Sequence, residues 1–271
     1  MDRIELPDLP AEADWSVCLR DAASGEVLGA AWPERVLRTA SVGKIFLLIE
    51  CARAFAAGEL DPAEPLRRTP ELMVADSGVW YLLATDALPA ADLCTLVGAF
   101  SDNLATNVLI ERVGIDAVAA TGRALGMRDS ALLDRIRWPR GPQDPPTLSV
   151  GTGAELSAIM AALHRGEVIA AAVSARVARW LAADADLSMV AAAFGLDPLA
   201  HADPDRGITL INKTGTIATA RIDIGTADGP AGAVAYAVGA NWNEALDPRD
   251  GVLAAMTTIG HRIRAAIGAG A

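Results

Sequence analysis

Lysine is almost missing from this chain: of 23 basic residues only Lys44 and Lys213 are lysines, and arginine supplies the rest. Arginine stays protonated in proteins, whereas a desolvated lysine can give up its proton. Either the two amines stand where a titratable group is needed, or an arginine-rich composition left them at random. Cysteine is scarce as well: Cys18, Cys51 and Cys94 are odd in number, widely spaced and form no C-x-x-C pair. That argues against a disulfide framework or thiolate metal site and fits small buried hydrophobes in a reducing compartment. The three histidines, His164, His201 and His261, are scattered without metal-ligand spacing. Aromatics make up 4% of the chain. Trp80, beside "ADSGVW", has two readings, a core residue or an aromatic wall at a site rim.

Positive charge is in deficit too. A net charge of −11 argues against a nucleic-acid partner. No apolar run reaches membrane-spanning length, and "MDRIELPDLPAEADW" has acids and prolines where a secretory signal would need an apolar core. The expectation is a cytoplasmic chain with no membrane partner, secreted only if a leader has been removed. What is present is hydrophobic content of 52% over 271 residues, enough for one large domain or two closely packed ones.

The pattern predicts an α+β fold. Residues 15 to 31 alternate, turn at "DAASGE" and resume, a hairpin signal. From Ser41 to Leu60 the chain is apolar on nearly every face and reads as a buried helix with Ser41 at its N-terminus. Helical patterns follow in "PAADLCTLVGAF", "NLATNVLIERVG", 154 to 164 and 170 to 183, with a Pro- and Gly-rich loop predicted over 136 to 153. Strands return in "ITLINKTG", "ARIDIGTA" and "AGAVAYAVGANW", and Val252, Leu253, Met256, Ile259, Ile263 and Ile267 form one stripe of a final helix. The expected architecture is an antiparallel sheet domain with terminal helices, 1–40 plus 201–271, around an inserted helical domain, 41–200, with a site at their interface.

Three short motifs stand out: "SVGK" at 41 to 44, "SDN" at 101 to 103 and "KTG" at 213 to 215. Each alone has a plain structural reading, as a helix cap, an inter-helix turn and a strand end. Together they occur in order on a helix start, a turn and a strand, and they use both lysines. The trio S-x-x-K, S-D-N and K-T-G is the signature of class A β-lactamases and penicillin-binding proteins. The chain resembles that superfamily from about residue 15 onward, with further likeness in "SDNLATNVLIERVG", "ALGMRDSALLDR" and "NKTGT".

The resemblance implies a β-lactamase/transpeptidase-like fold and a serine hydrolase needing no cofactor. Ser41 would be the nucleophile and Lys44, one helical turn on, its base. Burial and the second amine, Lys213, would lower the Lys44 pKa. Ser101 would relay a proton to the leaving nitrogen, and Asn103 would bond Lys44 or a substrate amide. Lys213 and Thr214 would bind a substrate carboxylate, Gly215 would admit the substrate backbone, and the N–H groups of Ser41 and Thr216 would form an oxyanion hole. Arg221 is either a second carboxylate clamp or an ordinary ion-pair partner of Asp223 or another acid.

One position departs from the family. After Leu133-Asp134-Arg135, where class A enzymes carry the deacylating glutamate, this chain has Arg137. Arginine is a donor only and cannot take a proton from water. Asp134, Asp144 and Glu155 are the nearest acids, with Asp134 expected to brace the loop through an arginine. The sequence therefore reads as a serine hydrolase able to acylate with β-lactams and poorly equipped to deacylate. Two alternatives stay open: an esterase, amidase or peptidase on a small acylated metabolite or peptide, and a covalent acyl-binding sensor. In each the partner is a small molecule with an amide or ester and a carboxylate, and a monomer is the default expectation.

Overall fold

The computed structural model describes residues 1–268. Five strands form one antiparallel sheet in the order β2 (Val27–Ala31), β1 (Ala13–Asp21), β10 (Gly232–Trp242), β9 (Ala220–Gly229), β8 (Thr209–Ile217). The middle of the chain contributes β3 (Leu37–Arg38), β4 (Pro65–Arg67), β5 (Ala87–Pro89), β6 (Ala131–Leu132) and β7 (Ser149–Gly151), all short. The helices are α1 (Lys44–Ala57), α2 (Ala90–Phe100), α3 (Asn103–Val113), α4 (Ile115–Ala124), α5 (Gly153–His164), α6 (Ala171–Leu181) and α7 (Arg249–Ala266). No helix among the described residues is long and apolar enough to cross a membrane.

Period-two alternation along β10 splits the core. Ala233, Ala235 and Ala237 join the cluster built around α1, α2 and α5, while Val234, Tyr236, Val238 and Ala240 join the one under α7. The small residues on the first face leave room for α5 to lie directly across β1 and β10. On the opposite face Val252, Met256, Ile259 and Ile263 of α7 are buried at helical spacing, as the stripe in the sequence requires. α1 is buried on nearly all sides, from Lys44 to Ala52, so it is the axle of the helical part and its first residue is carried into the interior.

Two expectations are corrected in detail. The buried helix begins at Lys44, because residues Ala40–Gly43 form a separate 3-10 turn. The turn is pinned from two sides: a Cβ on Gly43 would stand 2.3 Å from the Ser149 side chain, and one on Gly215 would stand 2.3 Å from Thr39 O. The loop predicted over 136 to 153 is interrupted by β7, which pairs with both β3 and β6, and by the first residue of α5.

The turn between α2 and α3 is fixed by Asp102, which is fully buried. Its Oδ1 accepts from Ala105 N at 2.9 Å, the N-cap bond of α3, and its Oδ2 accepts from Val79 N at 2.7 Å and Trp80 N at 2.8 Å. Asp102→Ala strands three backbone N–H groups and is expected to cost roughly 2–4 kcal/mol. Denaturant unfolding measures this, and a loss below about 1 kcal/mol would show that the cap is dispensable.

Candidate active site

Between the helices and β8 lies a cleft of about 530 Å³ lined by Ser41, Ser101, Asn103, Arg137, Thr214 and Thr216, among others. Three of its wall residues hold left-handed backbone angles without being glycine: Ala40 (φ 47°), Asp76 (φ 92°) and Ser101 (φ 52°). Such strain costs on the order of 1–3 kcal/mol per residue and gathers where geometry is functional. At Ser101 the reason is visible, because the left-handed turn at the end of α2 presents the Ser101 carbonyl to Lys44.

Lys44 is completely buried. Its Nζ lies 2.5 Å from Ser101 O, 2.7 Å from Asn103 Oδ1 and 3.2 Å from Ser101 Oγ. Burial drives the amine well below its ordinary 10.5, the nearby Lys213 pushes the same way, and Asp102, Asp76 and Asp184 oppose. In all three contacts the oxygen accepts from Nζ. Asn103 thus bonds Lys44.

β8 brings Lys213, Thr214, Gly215 and Thr216 to the other wall. Lys213 is wholly buried, with Nζ donating to Thr214 O at 3.2 Å and lying 3.9 Å from Asp184 Oδ2. The Thr214 hydroxyl donates to Asp186 Oδ2 at 2.7 Å. The absent side chain of Gly215 makes room for Thr39 O and Val42, so the protein's own serine-bearing turn fills that space. The Arg221 Nη1 donates to Ile217 O and Ala220 O, the guanidinium lies over Trp242, and Asp186 and Asp247 are the acids that act on its charge. It forms no ion pair with Asp223. Asp223 is instead buried beside Tyr236, Asn212 and the Ala191 N–H, and burial raises its pKa well above the usual range.

Arg137 does line the cleft. Its two terminal nitrogens are held by Asp134 at 2.7 Å and Asp144 at 2.6 Å, and Arg140 takes the second oxygen of Asp134 at 2.5 Å. Asp134 therefore does brace the loop, through two arginines. Asn107 of α3 clamps the preceding residue, bonding Ile136 N and Ile136 O at 2.8 Å each. Glu155 caps the backbone at Arg128 and Asp129, outside the cleft.

The sequence reading missed several wall residues: Arg38, Asp76, Trp138, Asp184 and Asp186. The "DAD" run preceding the strand of Lys213 was a readable signal for the last two, but its placement beside β8 depends on α6 and the loop after it. Trp80 is buried and donates to Thr85 O, so it is a core residue. The exposed aromatics lining the cleft are Trp138 and Phe100.

The sheet, the flanking helices and the cleft together define a β-lactamase/transpeptidase-like fold. A family model described as the beta-lactamase enzyme family matches residues 6–267, and the chain belongs to that family of serine hydrolases. The β-lactamase of Sphaerobacter thermophilus is 26% identical with a TM-score of 0.81, over 94% of this chain and 92% of that one. PBP-A is 19% identical with a TM-score of 0.79 over 96% and 91% of the two chains, a likeness of fold alone. An 85-residue stretch is also 33% identical to a probable D-serine dehydratase of Burkholderia pseudomallei, covering 31% of this chain. The chain spans about a fifth (19%) of that protein's length.

The lowered Lys44 pKa has a stability consequence. The unfolded chain holds this proton up to about pH 10.5, while the folded chain releases it earlier. Below 10.5 the unfolded state thus binds more protons, and Lys44 subtracts stability as pH falls toward its folded value. Lys44→Met removes that loss. The stability of the variant relative to the parent is expected to rise as pH is lowered from 10 to 7, and a difference flat across that range contradicts a depressed amine.

Proposed function

We propose that Ser41 forms an acyl-enzyme with small acyl donors, β-lactams among them, and that hydrolysis of this intermediate is slow. The observation that carries the reading is Lys44, a buried amine bonded to Ser101 and Asn103 at the back of the cleft that Ser41 lines. In acylation the Ser41 Oγ–carbonyl bond forms as the hydroxyl proton passes to Lys44 Nζ. The carbonyl bond to the leaving nitrogen or oxygen then breaks, with a proton delivered from Lys44 through the Ser101 hydroxyl. The N–H groups of Ser41 and Thr216 face the oxyanion. The cleft then lies between a sheet domain, 1–40 plus 201–271, and a helical domain, 41–200.

Slow deacylation rests on Arg137. A guanidinium has no acceptor, and this one is committed to Asp134 and Asp144. A positioned base is typically worth on the order of 10²–10⁴ in rate. PBP-A, similar in fold at 20% identity, is known as an acyl-enzyme with penicillin G in a variant where glutamate replaces one of its leucines. A second reading, an esterase or amidase whose donors differ from β-lactams, is favoured by one observation: the Thr214 hydroxyl already donates to a carboxylate.

Intact mass of the protein mixed with a penicillin tests the proposal. The expected result is one adduct per chain, lost in Ser41→Ala, that returns to the free mass on the order of 10²–10⁴ times more slowly than an enzyme with a positioned base would allow. Rapid multiple-turnover hydrolysis, or an adduct that survives Ser41→Ala, overturns it.

A further inference from the structure

We propose that Asp186 and Thr214 make the β8 end of the cleft select acyl donors carrying a hydrogen-bond donor, a carboxamide or ammonium, and disfavour those carrying a carboxylate. The inference rests on the acyl-Ser41 reading and names its substrate class.

Three residues of this strand region would be expected to hold a substrate carboxylate, and each is already engaged. Thr214 is 4% exposed, and its single hydroxyl hydrogen points to Asp186 Oδ2 at 2.7 Å. A hydroxyl has one hydrogen and two lone pairs, so what Thr214 offers the cleft in this state is an acceptor. Lys213 donates to Thr214 O and faces Asp184, leaving no exposed part of its side chain. Arg221 is turned onto Ile217 O and Ala220 O.

The acids are built in. Asp186 receives Ser188 N on Oδ1 at 3.1 Å, and its carbonyl receives Asn212 Nδ2 at 3.1 Å. Asp186 N donates to Asp184 Oδ1 at 3.1 Å, and Ala185 N ties the segment to Ala99 O at the end of α2. Asp184 lines the cleft at 1% exposure, with an Oδ2 that has no hydrogen-bond partner.

Arg137 and Arg140 are paired with Asp134 and Asp144. Arg38 donates to the neutral Thr219 Oγ1 at 3.0 Å and keeps its positive charge, set against the acids Asp76 and Asp186 of the same cleft. Lys213 and Asp184 offset each other, and Asp76 on the facing wall adds a further negative charge. A carboxylate arriving at Thr214 meets Asp186 with no hydrogen offered between them, which costs both Coulomb energy and an unmade bond. A carboxamide or ammonium supplies the missing hydrogen.

The test uses the full chain and a matched set of activated esters that differ only in a terminal carboxylate, carboxamide or ammonium. Acylation is followed by intact mass, mapped to Ser41, and as a second-order rate constant. The carboxamide and ammonium donors are expected to react at least about tenfold faster than the carboxylate donor. Raised salt should narrow the gap in the unmodified chain, and Asp186→Asn should bring it to within about threefold. A carboxylate donor that reacts fastest, or a gap unmoved in a folded Asp186→Asn protein, overturns the proposal while leaving the acyl-enzyme intact. No adduct on Ser41 from any donor overturns both.

Discussion

A lysine amine with no access to water is the constraint around which this molecule is arranged. Lys44 stands at the first position of the most buried helix, and its tail ends among one carbonyl, one hydroxyl and one amide oxygen. Desolvating a charge is costly, and burial lowers the pKa of this amine against the opposing pull of Asp102, Asp76 and Asp184. Lys213, the other lysine, adds to that pressure instead of relieving it. Those surroundings also explain why lysine and not arginine occupies the position.

Much of the neighbouring structure serves to aim acceptors at that amine. The left-handed backbone at Ser101 turns its carbonyl inward, Asp102 holds the turn to the loop at Val79 and Trp80, and Asn103 follows at once with its side chain on Nζ. On the facing side Gly215 lets the Ser41 turn lie against β8, and Gly43 lets the same turn lie against Ser149. Ala40, Asp76 and Ser101 thus bring three of the eight left-handed non-glycine positions among the described residues to the cleft wall.

The elements with strong periodicity were legible from residue type alone. The stripe of α7, the alternation of β10 and the apolar run of α1 each map onto the buried faces observed. The three motifs also singled out Ser41, Lys44, Ser101, Asn103, Lys213, Thr214 and Gly215; Ser41, Ser101, Asn103 and Thr214 line one cleft, Lys44 lies behind it, Lys213 is wholly buried beside Asp184, and the space at Gly215 is taken by the Ser41 turn. What could not be read were the long-range placements. Whether the aspartates of 184 to 186 approach β8 depends on how α6 docks, and Arg221 was decided by a two-residue hairpin whose carbonyls face back toward it. Trp80 lies in the core and Trp138 at the rim because burial of an indole is set by tertiary packing, which residue type alone does not carry. The 3-10 turn before α1 was hidden for a similar reason, since it is imposed by contacts with β7 and β8.

The chemistry assigned to the cleft depends on Lys44 lacking its extra proton near neutral pH. Two lysines in the whole chain make this directly observable: selective carbon-13 labelling of lysine yields two side-chain signals, assigned with Lys44→Met, that can be titrated. The account predicts that the Lys44 signal is already in its unprotonated position at neutral pH and changes only at lower pH or on unfolding. A Lys44 signal that titrates near 10.5 in the folded protein would contradict it.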